Sequence, residues 1–479
     1  MENSNRQEAR FLKMTQTPVK RLILSLSAPT IISMMISSAY NMVDTYFVSQ
    51  LGTSATAAVG IVFSLMAIIQ AVGFTFGVGA GSMISRYLGQ RNTEDADKVA
   101  ITSLLTSIGC GFIIMAVGLL FLDDIMILLG ATPTVLPYAA DYARYILIGA
   151  PYMTATFVMN NMLRSEGSAT LSMVGIASGA ILNVALDPLF IFTFNMGMGG
   201  AALATILSQF VSFCILLGML MSKRSNLNLN FKNFTFKWRV YKELLTIGSP
   251  SFFRQTLASF ASVCLNTFAG PFGDFAIAAM SVVSRVMFFM VSALLGFGQA
   301  FTPVAGYNYG AKRYDRLWEG YWFCVTFGAI VLSVLGVGVF IFAEKIITIF
   351  RADDLDVIRL GTFALRAQSI TLPLQVFVII SNMLFQATGK AFRAAALALT
   401  RQGLFFIPLI IILSKTLGLT GVQISQAAAD VCTFLLAVPI LYSFMKQINA
   451  LRKGITSAQS ALDGEKLNAV EDALMDSGE

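Results

Sequence analysis

Two carboxylates stand out because they occupy places where a carboxylate is costly. Asp44 lies within APTIISMMISSAYNMVDTYFVSQLG and Asp187 within SGAILNVALDPLFIF, both long apolar runs. An Asp at the centre of a membrane-spanning helix costs about 2.5–3.5 kcal/mol to insert, so such a group is the first place to look for function. Ser33, Ser37, Tyr40 and Asp44 recur every three or four residues and share one helix face, with Asn41 beside them. Pro29 interrupts the hydrogen-bond ladder near the start of the same run and lets that helix bend. Asn183 and Asp187 are four apart, again on one face, and Pro188 follows at once. Two carboxylates on different helices, each with an amide or phenol neighbour, make a cation or proton site. If Na+ is the ion, Asp44, Asp187 and Asn183 are its candidate ligands. The plainer reading of each Asp is a helix-end residue in water or an interhelical hydrogen bond.

The second half of the chain has its own charges inside apolar runs: Arg254, Arg285, Arg366, Arg401 and Asp430. Arg285, Arg401 and Asp430 each lie roughly ten residues into a span, about 15 Å deep at the helical rise. The favoured reading is an ion-paired brace in which Asp430 meets an Arg. The sharper one is a C-lobe ion network, or a substrate contact, formed by Arg254, Arg285, Arg401 and Asp430. The chain has no histidine, which removes the commonest metal ligand and proton shuttle. Cys110, Cys214, Cys264, Cys324 and Cys432 all sit in apolar segments without a CxxC pair, so no disulfide framework or metal site follows. No nucleophile motif stands out. We expect no cofactor and no enzyme activity.

The elements that must position these residues are membrane spans. The 479 residues are 56% hydrophobic and only 12% charged, about half the charge of an ordinary soluble chain. Apolar runs of twenty or more, each able to cross a ~30 Å hydrocarbon core, fall near 22–48, 57–84, 99–121, 136–160, 170–194, 199–222, 243–268, 276–302, 318–343, 358–385, 392–414 and 420–445. The fold expected is all-α and polytopic, with twelve transmembrane helices. The first ~20 residues are too polar, and the run after them too long, for a cleaved signal peptide. With the N-terminus inside, cytoplasmic segments hold 24 Lys and Arg against four (Lys345, Arg351, Arg359 and Lys415) on the other side, so both termini are expected in the cytoplasm, with the chain in the inner membrane. The net charge of +7 is then a matter of loop placement, and no nucleic-acid partner is implied.

The halves are related at a constant offset of 221: Pro29 meets Pro250, Gly52 meets Gly273, Gly77 meets Gly298, Arg91 meets Lys312, Asn161-Met162-Leu163 meets Asn382-Met383-Leu384, and Gly197 meets Gly418. This reads as an internal duplication giving two pseudo-symmetric six-helix lobes. The expected division is a cytoplasmic N-terminal segment 1–21, an N-lobe 22–222, an inter-lobe loop 223–242, a C-lobe 243–447 and a flexible cytoplasmic tail 448–479. Duplicated six-span halves are common among secondary transporters, with the substrate site between them near the midplane. The counterpart of Asp44 is Leu265, and that of Asp187 is Leu409 or Pro408. The acidic pair therefore exists in one half only, as a dedicated function would have it.

At YNMVDTYFVSQLG, LRSEGSA, LNVALDPLFIF, GMGGAALAT, GFGQAFTPVAGYNYGAKR and FQATGKA, the sequence resembles the multidrug and toxic compound extrusion (MATE) family, over about residues 15–447. The resemblance implies a V-shaped, two-lobe fold and export driven by H+ or Na+. In the branch with an N-lobe cation site, the family's motif residues match Tyr40, Asp44, Tyr142, Asn160, Asn183, Asp187 and Thr205. Another branch uses a Glu on the seventh helix. GSPSFFRQTLASFASVCLNTF has no acid, which argues against a C-lobe ion site.

The expectation is a monomeric exporter of small organic, lipophilic and mostly cationic compounds, embedded in membrane lipid. Two negative charges in one low-dielectric pocket are costly through desolvation first and repulsion second. A proton or Na+ that neutralises them would change the packing of the Pro29 helix and rock the halves between inward- and outward-open states. A flippase for lipid-linked precursors, using the buried arginines on a phosphate, is the alternative. A structural or receptor-like bundle would show no ion-dependent flux.

Overall fold

The computed structural model describes the backbone of residues 2–222, 225–350 and 354–476, and side chains over the same ranges except residues 2–6, Asn41, Thr53 and 454–476. Lys223, Arg224 and Arg351, which entered the orientation count, and the side chain of Asn41 lie outside the described residues. No strand occurs among the described residues. In chain order the helices are α1 (Glu2–Gln16), α2 (Val19–Ser49), α3 (Thr53–Gly89), α4 (Thr93–Leu120), α5 (Leu122–Leu128), α6 (Leu136–Ser165), α7 (Ala169–Pro188), α8 (Gly197–Met221), α9 (Trp238–Ala269), α10 (Asp274–Gly310), α11 (Tyr314–Phe350), α12 (Leu355–Ala387), α13 (Ala391–Leu399), α14 (Ile407–Leu417) and α15 (Leu419–Asp476).

The apolar runs expected to span are helical, but 392–414 is divided between α13 and α14 by a π-helical turn and 170–194 runs past the end of α7 into another. Ten helical stretches among the described residues are long and apolar enough to cross a membrane, which makes this a multi-pass membrane protein. The other two, α6 and α9, fall short because polar residues interrupt them: Asp141, Arg144, Asn160 and Asn161 in α6, and Arg254 and Gln255 in α9. Two helices depart from simple α geometry. Leu189–Thr193, directly after α7, and Thr400–Phe406, between α13 and α14, are π-helical. Such widened turns re-aim neighbouring side chains and recur at functional sites.

The duplication read in the sequence recurs in the backbone. Gly52 and Gly273 have φ of 115° and 109°, Arg91 and Lys312 of 59° and 57°, and Gly197 and Gly418 of 55° and 60°. These matched left-handed residues end or begin matched helices.

Residue contacts divide the chain into Met1–Phe434 and Leu435–Glu479. The second unit is the remainder of α15, whose backbone helix runs to Asp476 through the segment expected as a loose tail. Within the first unit, α2 packs on both α7 and α10, and α3 on both α6 and α9. Helices of the first half thus reach across to the second. The close approaches run from the basic end of the helices to about their middle. A Cβ at Gly248 would overlap the Thr75 carbonyl oxygen, and one at Gly79 the Leu244 carbonyl oxygen, so only glycine permits α3 and α9 to touch there. Further along, Ser38 on α2 donates to Ser292 on α10 at 3.2 Å. At the basic end Arg86 pairs with Glu243 at 3.0 Å. There α1 lies across both halves: Arg10 pairs with buried Glu166 at 3.1 Å, while Asn308 and Arg313 donate to the carbonyls of Met14 and Thr15 at 3.3 and 3.1 Å.

Candidate functional site

The two acids singled out from the sequence meet in one buried cluster. Asp44, two turns beyond Ser38 on α2, is 5% exposed, and Asp187, at the end of α7, is fully buried. Their helices pack against each other, and the two carboxyls are close enough to feel each other's charge. Asn183 stands one turn before Asp187, and its amide donates to Asp187 Oδ1 at 3.1 Å and to Thr205 Oγ1 on α8 at 3.4 Å. The Tyr142 hydroxyl, brought from α6, lies within reach of both the Asp44 carboxyl and the Thr205 hydroxyl. Tyr40, one turn before Asp44, senses both carboxyls and reaches Gln209. Asn160 is one step removed: its amide donates to Ser172 and so ties α6 to α7.

Three acceptor atoms of this cluster, Asp44 Oδ1, Asn183 Oδ1 and Asp187 Oδ2, are buried without a hydrogen-bond partner among the described residues. A buried acceptor with no donor is costly. All three are oxygens, two from carboxylates and one from an amide, which is the donor chemistry of a hard cation or of a proton shared between acids. No arginine or lysine pairs with either carboxylate among the described residues. The residues fit a single small cation. Among the described residues no group of three or more His, Cys, Asp and Glu gathers that would hold a tightly bound metal.

The second-half charges are arranged otherwise. Arg401, carried by the π-helical turn, pairs with Asp430 at 2.7 Å. Gln375 and Thr371 of α12 donate to Asp430 Oδ2 at 2.7 and 3.2 Å, and Gln426 to Oδ1 at 3.3 Å. Asp430 is therefore saturated with donors, as the brace reading has it. Arg254 is not in this network but lines a cavity between the halves. Arg285 is exposed and joins neither group among the described residues.

Gln209 was not legible in the sequence. It stands four residues after Thr205 on α8, and that spacing was the available signal. Arg164 lies just beyond the apolar run 136–160, where a basic residue reads as part of a loop, yet it is only 6% exposed at the end of α6.

The MatE family model matches residues 29–189 and again 250–412, once in each half. The chain is 28% identical over 428 residues to the multidrug export protein MepA of Staphylococcus aureus (strain MSSA476), covering 89% of this chain and 94% of that one. Its structure is similar to MATE in complex with MaL6, at TM-score 0.86 and 29% identity over 92% of this chain and 99% of that one. It is equally similar, at TM-score 0.86 and 30% identity over 92% and 98%, to the outward-facing conformation of a multidrug resistance MATE family transporter. With the family model matched in both halves and the fold shared over nearly its whole length, the chain belongs to the MatE family, a family of membrane transporters and not of enzymes.

Proposed function

We propose that this protein is a secondary active multidrug exporter. It moves small organic compounds, lipophilic cations among them, out of the cell in exchange for H+ or Na+ bound at Asp44, Asp187 and Asn183, with Tyr40, Tyr142, Asn160 and Thr205 shaping the site. In this reading twelve helices form two lobes in the inner membrane, both termini are cytoplasmic, and the monomer works alone in membrane lipid. The observation that carries it is the buried acid pair beside Asn183, with three oxygens unpartnered among the described residues, supported by kinship to multidrug export proteins. No observation favours a lipid-linked precursor flippase.

The mechanism follows from α2. This helix carries Asp44 to the ion cluster and, two turns away, Ser38 to Ser292 of the other half. Neutralising the acid pair changes how α2 seats on α7, and so biases the α2–α10 contact. Coupling is carried by one element that touches both sites. The close approaches at the expected cytoplasmic end support reading this conformation as outward-open. An inward-moving charge adds about 2.3 kcal/mol per 100 mV of membrane potential.

The test is efflux of a fluorescent lipophilic cation from reconstituted vesicles under separately imposed pH and Na+ gradients. One gradient should drive efflux in the wild type and fail to do so in Asp44→Asn. Efflux indifferent to both gradients would refute the exporter reading.

A further inference from the structure

The segment that joins the two halves ends in FKNFTFKWRVYK, from Phe231 to Lys242, with four basic residues, five aromatic ones and no acid. Phe231, Phe236 and Trp238 are 73%, 83% and 74% exposed, and Lys232, Lys237, Arg239 and Lys242 are exposed among them. None of these four cations makes an ion pair among the described residues. The acids nearest in the fold are already engaged. Asp97 accepts the backbone N–H of Asn228 at 2.8 Å, and Glu243 pairs with Arg86 at 3.0 Å.

The segment is pinned to the first half rather than hanging free. Leu227, just before it, is buried, and the backbone N–H of Asn226 donates to Glu166 at 2.7 Å. Two further contacts fix its depth. The backbone N–H of Thr235 donates to the Thr102 hydroxyl on α4 at 3.3 Å, and the Thr106 hydroxyl on α4 donates to that of Tyr241 at 3.4 Å. The apolar run of α4 begins near residue 99, so Thr102 and Thr106 lie about 5 and 10 Å inside it at the helical rise. Phe236 and Trp238 fall between these two anchors in the chain. The segment therefore returns to the level where headgroups meet acyl chains.

Exposed aromatic rings at that level are out of reach of a soluble partner. They suit the membrane interface, where an aromatic body sits in the acyl boundary and a Lys or Arg stem reaches up to the headgroups. Four cations without acids among them need negative charge from outside the chain. A cluster of four or more basic residues beside a spanning helix is the pattern that holds anionic headgroups.

We infer that residues 231–242 form a docking surface for anionic phospholipid of the cytoplasmic leaflet, with Lys232, Lys237, Arg239 and Lys242 on the phosphates and Phe231, Phe236 and Trp238 among the upper acyl chains. Docked lipid holds the start of α9 at the end of the molecule where α9 touches α3. The inference goes beyond the exporter reading and borrows only its orientation.

The test titrates the purified full chain in detergent, where sidedness plays no part, with brominated phosphatidylglycerol and brominated phosphatidylcholine. Quenching of Trp238 is read as the difference between wild type and Trp238→Phe. Each basic residue near an anionic surface is worth about a fivefold gain in binding at most. The anionic lipid should therefore quench Trp238 at a concentration at least tenfold lower than the zwitterionic one, and added salt should narrow that ratio. Lys232→Gln, Lys237→Gln, Arg239→Gln and Lys242→Gln combined should erase it. Each change alone should weaken anionic binding about two- to fivefold, and Lys237→Arg should leave it unchanged. Equal quenching by the two lipids, no quenching of Trp238 by either, or a preference that survives the combined variant would overturn the inference. Release of the lipid by millimolar inorganic phosphate would make this a free-phosphate site and overturn the commitment to lipid. Gradient-driven efflux by the wild type in any of those cases would leave the exporter reading standing.

Discussion

Each half of the chain buries an aspartate on a membrane helix, and the two surroundings are opposite. Asp430 receives Arg401, Gln375, Thr371 and Gln426. Among the described residues Asp187 receives only Asn183 and faces a second acid, with one of its oxygens and one of Asp44's left unpartnered. Matching Asp430's charge and filling its acceptor sites leaves it nothing further to bind, which is how a brace is built. The first-half pair, with no fixed counter-charge among the described residues, suits a mobile cation that comes and goes. Burial alone does not separate a site from a strut; the inventory of donors around the buried acid does.

The largest effect that could break this comparison is loss of coupling. Asp44→Asn and Asp187→Asn should each reduce gradient-driven efflux to background while the protein still inserts, measured as vesicle efflux normalised to reconstituted protein. Coupling that survives in either variant would place the coupling site elsewhere. The next effect belongs to the other aspartate. Asp430→Ala leaves the half-buried Arg401 and the amide of Gln375 without their shared partner and should destabilise the protein by about 1–3 kcal/mol, read as a lowered melting temperature in detergent. The double variant Arg401→Met with Asp430→Leu should recover most of that loss, because an apolar pair of similar volume avoids the desolvation penalty. The same strategy at Asp44 and Asp187 should keep a stable protein and no coupling.

Smaller effects sharpen the contrast. Asn183→Ala removes one donor from Asp187 and the link to Thr205, and should weaken the response to the driving gradient while melting temperature moves by the equivalent of about 1–3 kcal/mol. Thr371→Val takes away one of Asp430's several donors, and should cost about 1 kcal/mol of stability and nothing in coupling.

The parts of this design legible in the sequence were those with a local signature. Spacing put Asn183 and Asp187 on one face, apolar runs marked the ten helical stretches long and apolar enough to span, and a constant offset gave the repeat later seen in the φ angles of Gly52 and Gly273. Tyr142, Asn160 and Thr205 had no signature of their own and entered through resemblance alone. Gln209 was missed because a single amide on an apolar helix carries no chemistry until its neighbours are known. The π-helical turns after Pro188 and at Arg401 were missed because one extra residue per turn leaves the hydrophobic pattern nearly unchanged. The burial of Arg164 was not legible because a basic residue near a span end reads as a loop residue, and its bonds to Asn161 and to Gln299 of the other half arise only in the folded chain. Whether α1 lies across both halves depends on contacts more than 150 residues apart, such as Arg10 with Glu166 and Asn308 with Met14, which no window of sequence contains.

The most direct measurement is the number of protons or Na+ ions exchanged when the purified protein binds its substrate, followed in weakly buffered detergent solution with a pH indicator and an ion-selective electrode. The account predicts release of the coupling ion by the wild type and by Asp430→Asn, and none by Asp187→Asn. Undiminished release by Asp187→Asn, or its loss in Asp430→Asn with the first-half pair intact, would contradict it.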